Sequence, residues 1–264
     1  MKVVRRYWVT CVFVIFGFST VNASAEEIVL YTIHLPPHII DASLLAPPSG
    51  FGEVEDVYGS DVEVLRAAYA TQGVSVRIEL RPWKRIMRDV EAGLVLGAVS
   101  CRPIPSRERF AIFSDDLSDS ANAFVTRRSF LDDEVPTLGI LKKYNVAAVN
   151  GWSQTNILDS ADIPYSSVSG LEQGINVLLR RNQDVFMTER DSAIFAAKRM
   201  QVIDSLSFYD VSELGLDHYT TCFSRSYPEA EKWRDVLNKG LKELGASGKR
   251  EEILKKYSDF FERQ

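Results

Sequence analysis

The sequence predicts an α/β protein of two lobes, each a mostly parallel sheet flanked by helices. Three observations carry this reading. Residues 27–100 alternate strand, helix, strand, helix, strand, which implies parallel pairing with helices on both faces. The same alternation returns over residues 146–200 without any repeat of sequence. The two units are separated by Ala121–Arg128, and a late β-prone run, Thr220–Ser224, is placed to lead the chain back to the first unit.

The elements follow in order. Glu27–Thr32 is a first strand, stopped by Leu35-Pro36-Pro37, because proline cannot donate to a ladder. Residues 41–59, rich in Pro and Gly, read as a surface loop. Asp61–Gln72 is a helix: Val62, Leu65, Ala68 and Tyr69 recur at three- and four-residue spacing, and Gly73 ends it. Val74–Leu80 alternates as a second strand. Pro82 suits the start of the next helix, which turns Ile86, Met87 and Val90 inward and stops at Gly93. Leu94–Ser100 is nearly all apolar, as expected of a strand covered on both faces. The second unit has strands at Val146–Val149, Ser166–Val168 and Val185–Met187. Helices are expected at Gly151–Leu158, Leu171–Arg181 and Ser192–Met200. The tail is helical, with Trp233, Leu237, Leu241 and Leu244 on one face, followed by Ile253, Leu254 and Tyr257.

The amino terminus reads as an export signal over residues 1–25. Lys2, Arg5 and Arg6 are its basic region, Tyr7–Val21 its apolar run, and Ala23-Ser24-Ala25 its cleavage site. The apolar run is about fifteen residues, short of the ~20 needed to span a bilayer. Cleavage changes the net charge from −5 to −8, since three basic residues and no acidic one are lost. So acidic a chain, without basic runs, is a poor partner for nucleic acid or an anionic membrane. Cys101 and Cys222 remain after cleavage. An even count in an oxidising compartment permits a disulfide, and two buried thiols are the alternative.

Four motifs in order then resemble one family. Gly59-Ser60-Asp61-Val62-Glu63-Val64-Leu65 resembles a G-F-D-x-D-L helix opening. Pro105–Ser114 resembles a T-P-E-R-x-x-x-x-F-S segment and is the most specific match. Asn150-Gly151-Trp152-Ser153-Gln154 resembles a Q-G-T-T-x turn, and Asp184–Glu189 a D-A-x-x-x-D strand end. Together they resemble the family-3 extracellular solute-binding proteins, the polar amino-acid receptors of ABC transporters. Arg81-Pro82-Trp83-Lys84-Arg85 is similar to a subgroup of short single-domain receptors. The resemblance implies the type II periplasmic-binding fold, two lobes joined by two hinge strands. Lobe 1 would be residues 26–126 plus 222–264, and lobe 2 residues 127–221.

The same resemblance implies a ligand site in the cleft. Arg107 would pair its planar fork with a ligand carboxylate. Trp83 would stack on the ligand, with packing at a helix start as the alternative. Ser100 fits the small hydroxyl contact after the third strand. Arg102 stands where the family has Ser or Thr, and suits a second negative group or solvent. Ser153 sits at a helix N-terminus able to hold a carboxylate, or to cap the helix. Glu189 matches an acidic residue for an α-ammonium group, with Glu in place of Asp. Thr32 or His34 would line the cleft, although Leu35 replaces the family's aromatic. His34, His38 and His218 have no helical face in common, and neither metal nor cofactor is expected.

The expected function is capture of a small amino-acid-like or organic-acid ligand and delivery to an ABC permease by a periplasmic monomer. A sensing partner for a membrane receptor has the same cleft. A dehydratase on the same scaffold finds support only in Glu189 and the paired arginines. No G-x-S-x-G, H-E-x-x-H, P-loop or G-x-G-x-x-G is present.

Overall fold

The computed structural model describes residues 26–47, 51 and 55–262; the stretch read as an export signal, residues 1–25, lies outside them. The first unit begins with β1 (Glu26–Thr32), followed by the short β2 (Ile40–Asp41) and β3 (Val57–Tyr58). Then come α1 (Ser60–Thr71), β4 (Val74–Leu80), α2 (Trp83–Glu91) and β5 (Gly97–Cys101). β1 pairs in parallel with β4 along its whole length and with β5 on its other side. The third strand starts three residues later than its apolar run suggests. Leu94 is 70% exposed and its N–H bonds back to Asp89, so Leu94–Leu96 bend out of the preceding helix.

A one-turn helix α3 (Pro105–Glu108) and β6 (Ala111–Phe113) lead into β7 (Ser118–Arg127), a ten-residue strand. The second unit is β8 (Val146–Val149), α4 (Ser153–Ser160), β9 (Tyr165–Val168), α5 (Leu171–Leu179), β10 (Val185–Glu189), α6 (Arg190–Arg199) and β11 (Leu206–Asp210). β8 is parallel to β9 and β10, while β7 is antiparallel to β10 and β11. β12 (Leu216–Ser224) then returns, antiparallel to β7 at one end and to β5 and β6 at the other. The two long strands β7 and β12 therefore connect the two sheets, through pairing from Leu216 with Ala121 to Tyr219 with Ser118.

The cores divide the same way. Leu30, Leu65, Tyr69, Phe223, Trp233 and Leu237 pack together in the first lobe, where α7 (Ala230–Ser247) and α8 (Lys249–Glu262) close the core. In the second lobe, adjacent β7 residues enter cores on opposite sheet faces. Val125 packs with Ile175 and Phe186, and Phe124 with Leu158 and Met187. The apolar positions read from the periodicity of α1 and α7 are all buried. The two-lobed periplasmic-binding fold is the fold observed. No helix among the described residues is long and apolar enough to cross a membrane.

Candidate functional site

Several chain segments meet where β7 and β12 cross between the lobes. From the first lobe, the end of β5 and the α3 turn bring Ser100, Arg102 and Arg107, and the α2 start brings Trp83. From the second, the turn after β8 brings Trp152, Ser153 and Gln154. β12 contributes Tyr219. These residues line one cavity together with Ile33 and Leu35. Trp83, Ser100, Arg102, Arg107 and Ser153 are thus brought together, while Thr32, His34 and Glu189 do not line this cavity.

Arg107 is buried beside Trp83, its guanidinium carbon 5.2 Å from the ring centre. Only Nη1 is engaged: it donates to the Arg102 carbonyl at 3.0 Å and lies 3.8 Å from Cys101 Sγ. Nε and Nη2 make no hydrogen bond among the described residues, which leaves one edge of the fork available to an anion.

Arg102 is used differently. It is 3% exposed, and its Nη1 reaches Asn122 Oδ1 on β7 at 2.8 Å, Asp217 Oδ2 on β12 at 2.9 Å and Ser153 Oγ on α4 at 3.2 Å. Gln154 also donates to Asn122 at 2.8 Å. One guanidinium from the first lobe therefore ties both crossing strands to the second lobe, and Asp217 offsets its charge. Ser153 is the first residue of α4, not its cap, and accepts from Arg102. About 30 Å³ remains among the lining groups, room for little more than a water. That space is too small for a solute the size of an amino acid.

Ser100 lines the cavity, but its hydroxyl donates to Asp61 Oδ2 at 2.6 Å from a left-handed backbone at φ 54°. Thr32 is fully buried and donates to the Val99 carbonyl. His34 Nδ1 accepts from the Asp41 N–H at 3.0 Å. Both hold the first-lobe chain in place. Glu189 is fully buried and caps α6: its carboxylate accepts from the N–H groups of Asp191 and Ser192 at 3.2 and 2.6 Å. Its neighbour Arg190 pairs with Asp210 instead.

Cys101 and Cys222 are both buried free thiols. They lie on adjacent strands but are not opposed. Cys222 faces Ala98 and Cys101 faces Thr220, with a register shift between them.

Sequence reasoning missed Trp152, Tyr219, Asn122 and Asp217. Trp152 follows Gly151, whose φ of 79° makes the turn into α4, and that turn was a signal for it. The other three sit on the crossing strands, where only the fold places them.

The sequence model for "Bacterial extracellular solute-binding proteins, family 3" matches residues 40–260. The chain belongs to this family. Solved structures agree on the fold. A histidine kinase sensor domain with similarity to periplasmic binding proteins superposes with TM-score 0.73 at 18% identity, covering 88% of this chain and 95% of that one. The substrate-binding protein of an amino acid ABC transporter gives 0.69 at 19% identity, covering 88% and 98%. A histidine-bound substrate-binding protein of an ABC uptake transporter from Streptococcus pneumoniae gives 0.72 at 15% identity, covering 88% and 92%. No curated protein matches the chain by sequence.

Proposed function

We propose that the chain is a periplasmic receptor that closes its lobes around a small carboxylate-bearing solute, amino-acid-like or organic-acid, and delivers it to an ABC permease. The carrying observation is Arg107, buried at the cleft wall with Nε and Nη2 uncommitted beside the face of Trp83. A carboxylate satisfies that edge by two parallel hydrogen bonds. Trp152 and Ser153 would meet the same ligand from the opposite lobe. Contact with both lobes is what makes a ligand favour the closed state, and the closed shape is what a permease would recognise. The leader over residues 1–25 supports export and a mature monomer in the periplasm. The lobes are taken as 26–126 plus 222–264, and 127–221. The reading is of a binding protein, not an enzyme: the polar groups of the cleft bond one another, and among the described residues no nucleophile and base are paired there.

A second reading is a ligand-responsive partner of a membrane sensor. The likeness to a histidine kinase sensor domain favours it. The cleft is the same in both, so the partner decides. Capture by permease subunits supports transport, and capture by a sensor histidine kinase supports signalling.

The ligand reading is tested by thermal denaturation with a panel of amino acids and small mono- and dicarboxylates. A cognate solute at one hundred times its Kd should stabilise the protein by about 2.7 kcal/mol. Arg107→Ala should remain folded and lose that shift. Retention of the full shift in Arg107→Ala would overturn the carboxylate clamp.

A further inference from the structure

A second cavity, about 580 Å³, lies between the lobes, walled by Pro37, His38 and Ser60 of the first lobe, by α6 of the second, and by α8. The imidazole of His38 stands at its inner end, and three acidic side chains surround that ring. Asp61 Oδ1 lies 3.3 Å from Nδ1, and Glu189 Oε1 lies 4.0 Å from Nε2. Asp191 completes a set with His38 and Glu189 in which one ligand atom from each lies within 4.8 Å of the others. His38 is 4% exposed, and its Nε2 is buried without a hydrogen-bond partner. A buried nitrogen left unpaired in a polar setting has a cause.

We propose that His38 Nε2, Glu189 and Asp191 bind a divalent transition-metal ion, Zn²⁺ being the best match, that clamps the two lobes together. Four features carry this. The donor set is one imidazole nitrogen and two carboxylates, a borderline-soft and hard mixture that suits zinc. Asp61 accepts from Nδ1–H, which leaves Nε2 as the ring atom that would give up its proton in exchange for an ion, the arrangement that orients metal-bound histidines. The Glu189 carboxylate is itself held by the N–H groups of Asp191 and Ser192, so it is oriented before any ion arrives. Three carboxylates face the one imidazole, and of the cations that line the same cavity, Arg190, Lys198 and Arg199, the one adjoining the donors, Arg190, is paired with Asp210. Tetrahedral zinc with bonds near 2 Å needs donor atoms about 3.3 Å apart, so the group must contract by roughly an ångström. One residue comes from the first lobe and two from the second, so the contraction draws the lobes further together. The ion binds the closed form alone and stabilises it. Water fills the remaining coordination position from the cavity.

The metal site is independent of the ligand reading, because no residue is shared with the Arg107 cleft. The test is calorimetric titration of ZnCl₂ into protein stripped with EDTA, together with X-ray scattering of the same samples. One ion should bind per chain, and the radius of gyration should fall on binding. Asp191→Ala alters a carboxylate at the cavity and leaves the His38–Asp61 pair in place. It should weaken binding at least tenfold while the far-ultraviolet circular dichroism spectrum stays unchanged. Arg107→Ala should bind zinc like the parent. His218, on the surface beside Asp116 and Asp119, is the competing site. Loss of binding in His218→Ala with retention in Asp191→Ala would overturn the proposal. So would absence of binding, or binding without compaction.

Discussion

His38 makes the stability of this protein depend on pH in a specific direction. Burial alone pulls its pKa down, but the charge and hydrogen bond of Asp61, then the charges of Glu189 and Asp191, outweigh it and raise it to about 9 from 6.5. Asp61 responds in kind. Burial pushes its carboxyl up, but the His38 charge and hydrogen bonds from His38, Ser100 and Ser118 hold it below the ordinary range. A histidine that binds its proton more tightly when folded stabilises the fold fully below pH 6.5, and that stability fades as the pH climbs through 9. The difference of pKa corresponds to about 3 kcal/mol. Other groups facing the ring do not mimic this signal. Ser118 and Ser60 approach Nδ1 but do not titrate, and Tyr219 meets the ring edge-on. Asp191 is raised by burial and by the charge of Glu189, and the charge of His38 partly offsets this. Cys101 opposes the trend: burial raises its thiol, but the Cys222 hydrogen bond and Arg107 draw it down on balance. It is cancelled by comparing parent and His38→Gln, whose amide can still donate to Asp61. Urea unfolding in EDTA should show the parent losing about 3 kcal/mol more than His38→Gln between pH 6 and pH 10. Parallel curves would refute the ion-pair reasoning.

Two further outcomes follow from packing and charge. Gly240 lets α7 lie directly on α1, because a Cβ there would sit 2.0 Å from the Ala68 carbonyl oxygen. Gly240→Ala should therefore cost about 3 kcal/mol in urea unfolding, and an unchanged midpoint would show that the helices slide apart freely. Asp217→Ala takes from the buried Arg102 guanidinium the carboxylate that lies 2.9 Å from its Nη1. Because Asp217 is itself 40% exposed, the loss should be about 1–2 kcal/mol, well short of a fully buried pair, and smaller in high salt. A neutral result at low salt would mean that solvent already screens the pair.

The β-α-β-α-β frame was legible because α1, β4 and α2 bury one clean face each, so period and position agree. The run Leu94–Leu96 was over-read as strand because composition cannot distinguish an apolar bend from an apolar strand end. The three-residue β6 is too short to show a period. β7 opens with Ser118-Asp119-Ser120, which reads as loop; its partner is β12, about a hundred residues away, and only that pairing makes it a strand. The cleft was readable where a motif fixes both residue and local geometry, as for Arg107, Trp83 and Ser153. His38, Asp61 and Glu189 carried no joint signal, because they come from a loop, a helix start and a strand end far apart in the chain.

Arg102 and Glu189 narrow the ligand. Both occupy positions where the family resemblance implies ligand contacts, and both are committed to the protein itself. Arg102 answers Asp217 and the crossing strands, and Glu189 caps α6 beside His38. Removing them from the ligand inventory leaves Arg107 as the one charged lining group not answered by a carboxylate. No Asp or Glu among the described residues lines that cavity. A zwitterionic amino acid entering it would find a charged partner for its carboxylate but, for its ammonium, only the neutral oxygens of Ser100, Ser153 and Gln154 and the aromatic faces of Trp83, Trp152 and Tyr219. Such faces attract a cation by about 0.5–2 kcal/mol, less than a buried ammonium loses on leaving water. A carboxylate with an apolar or aromatic body pays no such penalty and gains the same aromatic contact. The solute panel should therefore rank apolar monocarboxylates above the amino acids of the same shape. The reverse ranking would mean that Glu189 turns from its cap into the cleft when the lobes part.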